Sequence, residues 1–330
     1  MKLKKLMIGA AAVAGMLSFT TQVLAKDLEK ITFGTNWFAQ AEHGGFYQAK
    51  ATGIYEKYGL DVDIKMGGPQ VNGMQLLVAG RVDMLIGYPM ASINAVSQGM
   101  PVITVAGVFQ KDPQSIIAHP GVESLQEIAD KKLPTYIATS AHTSFYPWLK
   151  AKYGFTDDMV RPYTFSVAPF LADDGIVQQG YVTSEPYAIK QGGVEPQVFL
   201  MADFGYPPYA ETIETTQKML KEKPEVVKKF VQATMEGWVS YFADPAPANK
   251  LIKKANPEMT DEQLAFSLET LKKYGLVTGG DTAEQGIGVM TDARWNKLYT
   301  LMKEEGLLKK DIDIKDVYSL DYLPEEPVLP

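Results

Sequence analysis

The chain has 330 residues, of which 46% are hydrophobic and 22% charged, and its formal net charge is −7. This balance excludes a disordered or fibrous chain and allows two buried cores. The acidic charge argues against nucleic acid or an anionic membrane as a partner. Because the chain has no cysteine and only three dispersed histidines, we expect neither disulfides nor a metal site, and no resident cofactor.

Residues 1–25 have the pattern of a cleavable export signal. Three lysines precede an apolar run from Leu6 to about Phe19, and small residues lead to an exit at Ala25. The run has roughly 14 residues, whereas a membrane-spanning helix needs about 20. No cysteine stands at the exit for lipid attachment. The sequence therefore predicts a periplasmic protein that is not a lipoprotein.

From Ile31 onward, strand and helix patterns alternate. The first series has predicted strands at residues 31–37, 60–66, 82–88 and 102–109, with helices at 45–58, 71–80 and 89–99. The second has predicted strands at 115–118, 135–139, 163–167, 181–184 and 198–201, with helices from Ser124 and at 145–153. This order predicts parallel sheets with helices on their faces.

The character of the chain changes after Pro207 and Pro208. From Pro224 to Phe242, apolar residues recur at three- and four-residue steps, which indicates a helix. Further helices are predicted at 260–274 and 291–305. We expect an α/β protein of two lobes, joined by two crossings near residues 112 and 206. One lobe comprises residues 26–112 and 207–330, including the C-terminal helices, and the other comprises residues 113–206.

A dense polar and aromatic cluster follows the first predicted strand. In open parallel sheets, ligands bind beyond the carboxyl ends of the strands. The candidates of this cluster are Asn36, Trp37, Phe38, Glu42, His43 and Tyr47. Trp37 and Tyr47 could stack on a flat ligand, and Glu42 or His43 could hydrogen-bond its edge. Alternatively, Trp37 belongs to the core and His43 caps its helix.

Similar side chains follow other predicted strands. These further candidates are Gln70, Tyr88, Pro89, Gln110, Thr139, Ser140, Ser144, Glu185 and Tyr187. No arginine stands among them, which argues against an anionic ligand, although the hydroxyl-rich loop at 139–144 could receive one at a helix N-terminus. We expect Trp37 and Tyr88 to flank the ligand ring and Glu185 to accept hydrogen bonds from its N–H groups.

Catalytic patterns are missing from the sequence. Neither Ser140 nor Ser144 lies in a nucleophile elbow, although His142 is close to both. No phosphate-binding loop, dinucleotide fingerprint or zinc-protease motif occurs. The sequence therefore predicts a protein without catalytic residues.

Three segments resemble a known family of periplasmic binding proteins, which includes binders of thiamine-pyrimidine precursors. These are NWFAQAEHGGFYQAKATGIYEKYGLDVDI (36–64), LLVAGRVDMLIGY (76–88) and KEKPEVVKKFVQATMEGWVSYFADP (221–245). Wider relatives bind nitrate, taurine and alkanesulfonates. The resemblance implies a type II periplasmic binding protein fold with two crossover strands and a ligand cleft between the lobes. It also implies a monomer that delivers its ligand to the membrane permease of an ABC importer.

The sequence departs from the family's pyrimidine-synthesising members. Those enzymes use a pyridoxal-phosphate lysine and a donor histidine after the strand that matches 82–88, where this chain has Gly87 and Ala91. The favoured hypothesis is therefore capture of a small flat heterocycle, such as a thiamine-pyrimidine precursor. The alternatives are a binder of a small anion or aromatic acid, and a periplasmic enzyme acting on such a compound.

Overall fold

The computed structural model describes residues 28–330. The predicted export signal at 1–25 lies outside the described residues. Within 28–330, none of the helices combines the length and the apolar character that crossing a membrane requires.

Ten strands and fourteen helices alternate along most of the described chain. The strands are β1 (Glu29–Gly34), β2 (Leu60–Lys65), β3 (Met84–Gly87), β4 (Val102–Phe109), β5 (Gln114–Ala118), β6 (Thr135–Ile137), β7 (Val160–Pro162), β8 (Val177–Tyr181), β9 (Gln197–Leu200) and β10 (Ala210–Thr216). The helices are α1 (Gly44–Ala51), α2 (Ile54–Lys57), α3 (Gly73–Val78), α4 (Pro89–Ser97), α5 (Leu125–Asp130), α6 (Tyr146–Tyr153), α7 (Ala168–Ala172), α8 (Glu185–Gln191), α9 (Gln217–Glu222), α10 (Pro224–Ala243), α11 (Ala246–Ala255), α12 (Asp261–Lys273), α13 (Thr282–Gln285) and α14 (Asp292–Glu304).

Two five-stranded sheets organise these elements. The first has the order β2-β1-β3-β10-β4, and the second has the order β7-β6-β8-β5-β9. We call the layers around the first sheet lobe 1 and those around the second lobe 2. The chain passes to lobe 2 between Phe109 and Gln114 and returns between Leu200 and Ala210.

The prediction of purely parallel sheets is wrong for two strands. β5 runs antiparallel to β8 and β9, and β10 runs antiparallel to β3 and β4. Each is the strand by which the chain enters a lobe after a crossing. Because β1 and β3 end on the side facing the other lobe, a strand that begins there must run in the opposite direction. The amino ends of β5 and β10 therefore lie beside the carboxyl ends of the parallel strands.

Several predicted boundaries also differ. The strands predicted at 163–167 and 181–184 begin three or four residues earlier, as β7 and β8. The sequence analysis does not predict β10, the short helices α7, α8, α9 and α13, or α11. The sequence of β10, AETIETT, is mostly polar although almost all of the strand is buried, so it lacks the apolar pattern that predicts a strand. The helix predicted at 45–58 is divided into α1 and α2, because Gly53 adopts a left-handed backbone with φ of 72°.

Close helix packing fixes the start of α1 beside the site. A Cβ on Gly45 would lie 2.3 Å from the indole of Trp238, and one on Gly237 would lie 2.3 Å from the Gly45 carbonyl oxygen. Glycine at these positions therefore lets α1 and α10 approach one another directly. As predicted, α10 buries one face, including Phe230 and Trp238, in the core of lobe 1.

Candidate functional site

An amide and two tyrosine hydroxyls join the lobes where β1, β3 and β8 end. Asn36 Nδ2 donates hydrogen bonds to Tyr88 Oη and Glu211 Oε1, both at 2.8 Å. From lobe 2, Tyr181 Oη donates to Glu211 Oε1 at 3.0 Å and lies 2.5 Å from Tyr88 Oη. Residues distant in sequence thus form one network across the cleft.

His43 completes this network as a neutral imidazole. Its Nε2 lies 2.9 Å from Asn36 Oδ1, and because that oxygen can only accept, Nε2 carries the hydrogen. Burial lowers the pKa of His43 to about 3, so the ring is uncharged although Glu211 Oε2 lies 3.8 Å away. His43 occupies the N-cap position of α1, but its side chain makes no capping hydrogen bond. Its role is to orient the Asn36 amide.

Three buried carboxyl groups surround the network. Burial raises the pKa of Glu42 to about 7 and that of Glu211 to about 8, and it also raises the pKa of Glu185. Glu42 accepts a hydrogen bond from Thr183 of lobe 2. Within the described chain, Oε2 of both Glu42 and Glu211 has no hydrogen-bond partner. The site is therefore rich in buried carboxyl oxygens, and ionisation of these groups costs more here than in water.

Glu185 is held rigidly at the start of α8. Tyr163 Oη donates to its Oε1 at 2.8 Å, and the backbone N–H of Tyr181 donates to its Oε2 at 2.7 Å. A Cβ on Gly180 would lie 2.9 Å from that second oxygen, so glycine leaves room for the carboxyl group. These contacts fix the carboxyl group of Glu185 in the lining of the cleft.

Aromatic rings close the cleft beside Glu185. The Trp37 ring of lobe 1 is nearly parallel to the Tyr163 ring of lobe 2, with centroids 6.0 Å apart and an interplanar angle of 13°. Phe165 contacts Trp37 edge-on and packs against Phe38 at 5.4 Å. Phe165 and Glu211 both have left-handed backbones, with φ of 64° and 48°, which side chains rarely adopt. Such strain commonly accompanies functional sites.

A small cavity lies between these side chains. Its lining residues are Trp37, Gln40, Tyr88, Gln114, Ser140, Gln179, Gly180, Tyr181 and Glu185. Its volume is about 20 Å³, enough for about one water molecule. None of these described lining residues is lysine or arginine. A ring-sized ligand can enter only if the two lobes separate.

A second interlobe contact lies at the rim of the cleft. Thr139 of lobe 2 donates its backbone N–H to the Pro69 carbonyl at 3.1 Å and its hydroxyl to Gln70 Oε1 at 2.9 Å. A Cβ on Gly67 would lie 2.2 Å from the Thr35 carbonyl oxygen, so glycine allows this loop to fold against β1.

A half-buried arginine holds the two crossings together. Arg294 of α14 donates to the carbonyl oxygens of Pro207 and Pro208, each at 3.1 Å, and to that of Gln110. Its guanidinium carbon also lies 3.9 Å from the centroid of the Tyr209 ring. One cation therefore links the outgoing and the returning segments.

The predicted site residues fall into three groups. The network, the cleft lining and the rim contact contain Asn36, Trp37, Gln70, Tyr88, Thr139, Ser140 and Glu185. Directly behind them lie Phe38, Glu42 and His43. The remaining five do not line the cleft cavity: they are Tyr47 in the core, Pro89 in the first turn of α4, Gln110 at the crossing, Ser144 bonded to the Ser140 carbonyl, and Tyr187 packed against Phe266.

Sequence reasoning missed four important residues. Tyr163 directly follows β7 and Tyr181 ends β8, so both occupy strand-end positions that the predicted boundaries concealed. Gln114 and Glu211 lie at the amino ends of β5 and β10, which the prediction of parallel sheets did not place at the cleft. Among the described residues, no cluster of three or more histidine or acidic side chains is arranged to hold a metal ion.

The sequence is similar to those of known proteins over most of its length. The riboflavin-binding protein RibY of Chloroflexus aurantiacus is 25% identical over 90% of this chain and 87% of its own. The formylaminopyrimidine-binding protein of Halalkalibacterium halodurans is 22% identical, over 97% and 99% of the two chains. A 4-amino-5-hydroxymethyl-2-methylpyrimidine phosphate synthase of Legionella pneumophila is 21% identical, over 90% and 93%.

A solved structure and a family model complete the comparison. The periplasmic aliphatic sulphonate binding protein SsuA of Escherichia coli superposes with a TM-score of 0.63 at 14% identity, covering 90% of this chain and 94% of its own. The predicted periplasmic binding protein fold is thereby confirmed. A model described as NMT1/THI5 like matches residues 40–248, which is more than half of the chain. The protein is therefore a member of the NMT1/THI5-like family.

Proposed function

We propose that this protein is the solute-binding component of an ABC importer and that it captures a small flat heterocycle between its lobes. The observation that carries the proposal is the joined interlobe network of Asn36, Tyr88, Tyr181 and Glu211 beside the Trp37 ring. Relatives named for binding riboflavin and formylaminopyrimidine, both nitrogen heterocycles, support this ligand class.

The ligand ring stacks on Trp37 and presents N–H groups to Glu185. In this arrangement the ring separates Trp37 from Tyr163, which lie nearly parallel and 6.0 Å apart between centroids. Glu185 is an acceptor in its ionised form, so it selects an amino group or a ring N–H. The ligand thereby contacts both lobes and stabilises their closed arrangement.

The charges of the cleft disfavour the alternative of an anionic ligand. Glu42, Glu185 and Glu211 are buried near the cavity, whereas its described lining contains no lysine or arginine. A carboxylate, sulfonate or nitrate ion would lie close to these acidic groups without a compensating cation. An uncharged or cationic heterocycle suits the same surroundings.

Synthesis of a pyrimidine is a second alternative, because several relatives are named as synthases. A pyridoxal-phosphate lysine at position 87 does not fit this structure. Gly87 faces the Glu214 carboxyl group, and a Cβ there would lie 2.0 Å from the Glu214 carboxyl carbon. We therefore assign binding, and not synthesis, to this cleft.

The proposed function also implies a cellular location and a partner. The export signal predicted at residues 1–25 places the mature protein in the periplasm, where it acts as a monomer and passes its ligand to the membrane permease of the importer. Closure of the lobes changes the shape of the binding protein, and by this change the permease distinguishes the loaded protein from the free one.

Native mass spectrometry followed by calorimetry tests the proposal. Protein purified without refolding should carry a heterocyclic compound, and calorimetry should show binding of riboflavin or 4-amino-5-hydroxymethyl-2-methylpyrimidine. Nitrate and taurine serve as anionic comparison ligands. Tight binding of an anion with no binding of either heterocycle would contradict the proposal.

A further inference from the structure

A larger cavity lies behind Tyr88, between α3, α4 and the loop at 139–143. Its volume is about 630 Å³, within the range typical of sites for small organic ligands. Its walls include the apolar side chains of Val71, Met74, Val78, Leu85 and Met100. A cavity of this kind favours an organic group over a small inorganic ion.

Two residues in the wall of this cavity each have a side-chain oxygen without a hydrogen-bond partner in the described chain. These oxygens are Glu214 Oε2 and Asn94 Oδ1, both buried. The other Glu214 oxygen accepts hydrogen bonds from the hydroxyls of Ser92 and Thr212, so its carboxyl group is held in place. Buried acceptors are normally satisfied, and two in one cavity point to donors supplied by a ligand.

The cavity adjoins the interlobe cleft. Tyr88 and Ser140 line both spaces, and Asn36, which binds the Tyr88 hydroxyl, also lines the larger one. Tyr88 therefore forms a wall between the two, and separation of the lobes removes Tyr181, one of the two hydrogen-bond partners of its hydroxyl, while Asn36 remains.

We propose that the two cavities form one extended site, whose ligand is a heterocycle longer than a single six-membered ring. This inference rests on the proposed function. One end of the ligand lies against Trp37 and Glu185, and the other enters the larger cavity. There it carries hydroxyl or amino groups that donate to Glu214 and Asn94.

Two probes and two variants test this inference. Riboflavin is a fused-ring heterocycle with a hydroxylated chain, and 4-amino-5-hydroxymethyl-2-methylpyrimidine is a single ring. Glu214→Gln replaces the carboxyl group with an amide of the same shape, and Ala91→Phe fills part of the larger cavity. Ala265→Phe, on an exposed face of α12, is the matched control for added bulk. Thermal unfolding confirms that each variant is folded.

We expect wild-type protein to bind riboflavin more tightly than the single ring in calorimetry. Each cavity variant should weaken riboflavin binding by about tenfold or more, because donors lose a buried acceptor or their space. The single-ring compound should lose less than riboflavin, and the control should change neither. Equal or tighter binding of the single ring by wild type would overturn the extended site but leave the proposed function. Failure of both compounds to bind wild type would contradict both proposals.

Discussion

The lobes are joined by opposite chemistry at the crossings and at the cleft. At the crossings, the half-buried guanidinium of Arg294 donates to three backbone carbonyls on the two segments. At the cleft, the contacts across the lobes are made by tyrosine and threonine hydroxyls and by carboxyl groups with raised pKa values. Charge-assisted hydrogen bonds are about twice as strong as neutral ones.

We interpret the crossings as the pivot about which the lobes move, and the cleft as the surface whose contacts a ligand replaces. The acceptors at the crossings belong to the backbone of both segments, so Arg294 can hold them while the lobes rotate. The hydroxyl and amide contacts at the cleft can be replaced one for one by donors and acceptors of a ligand. Substitutions at the cleft should therefore change ligand binding and pH dependence, whereas substitutions at the crossings should change stability.

The largest effect is expected from Glu211 at the cleft. Because burial raises its pKa from 4.5 to about 8, ionisation costs more in the folded than in the unfolded chain. The stability associated with the neutral group is complete below about pH 4.5 and is lost as the pH rises towards 8. Glu211→Gln removes this cost of ionisation. Between pH 5 and pH 8, the free energy of unfolding of the variant should therefore fall by less than that of wild type, the difference being on the order of 4 kcal/mol.

Urea denaturation at both pH values measures this effect. Glu269→Gln, at an exposed position of α12, is the matched control and should leave the pH dependence unchanged. Glu42, Asp112 and Glu214 also have pKa values raised by burial, so some pH dependence should remain in the Glu211 variant. An unaltered pH dependence in Glu211→Gln would show that this carboxyl group is ionised at no extra cost.

The next effect concerns ligand affinity at Glu185. Glu185→Gln should weaken binding by about 3 kcal/mol, since losing one partner of a buried hydrogen-bonded charge pair costs on the order of 2 to 5 kcal/mol. Calorimetry with a heterocycle that wild type binds gives the measurement. Glu195→Gln, an exposed change in the same lobe, should bind normally. Wild-type affinity in Glu185→Gln would remove this carboxylate from ligand recognition.

The crossings should respond in stability. Arg294→Met removes hydrogen bonds to both segments and should lower the free energy of unfolding by about 2 to 3 kcal/mol. Arg161→Met is the control, because the exposed Arg161 donates only to the nearby carbonyls of Asp158 and Val160 among the described contacts. Denaturation midpoints equal to wild type would mean that Arg294 does not hold the crossings together.

The smallest effect is expected at Trp37, where stacking and not charge is lost. Trp37→Ala should weaken ligand binding by about 1 to 3 kcal/mol, by analogy with bases that stack on aromatic side chains. Phe204→Ala removes an aromatic ring that is 39% exposed in lobe 2 and should leave affinity unchanged. If Trp37→Ala folds and binds within a factor of about two of wild type, its ring serves packing alone.

The sequence predicted the part of the site that parallel strands carry. Asn36 and Tyr88 follow β1 and β3, and the rule that ligands bind at carboxyl strand ends places them together. Tyr163 and Tyr181 obey the same rule, but strand boundaries predicted three or four residues too late hid them. The aromatic ring of Tyr47 made it a candidate for stacking on the ligand, but its position on α1 directs the side chain into the core.

Glu211 could not be predicted from these patterns. It lies at the amino end of an antiparallel strand whose threonine- and glutamate-rich sequence shows no apolar alternation. Only the return of the chain from lobe 2 brings this end of β10 to the cleft. Likewise, the clamp made by Arg294 joins residues far apart in sequence and depends on how α14 packs against both crossings.

Small-angle X-ray scattering tests most directly whether the lobes close on a ligand. The cavity between Trp37, Tyr88 and Glu185 is too small for a ring unless the lobes first separate, and a ligand that contacts both lobes should favour their closed arrangement. We predict a smaller radius of gyration at saturating concentration of a heterocycle whose binding calorimetry has established on the same sample. Identical scattering curves with and without that bound ligand would contradict closure and leave a site preformed within one lobe.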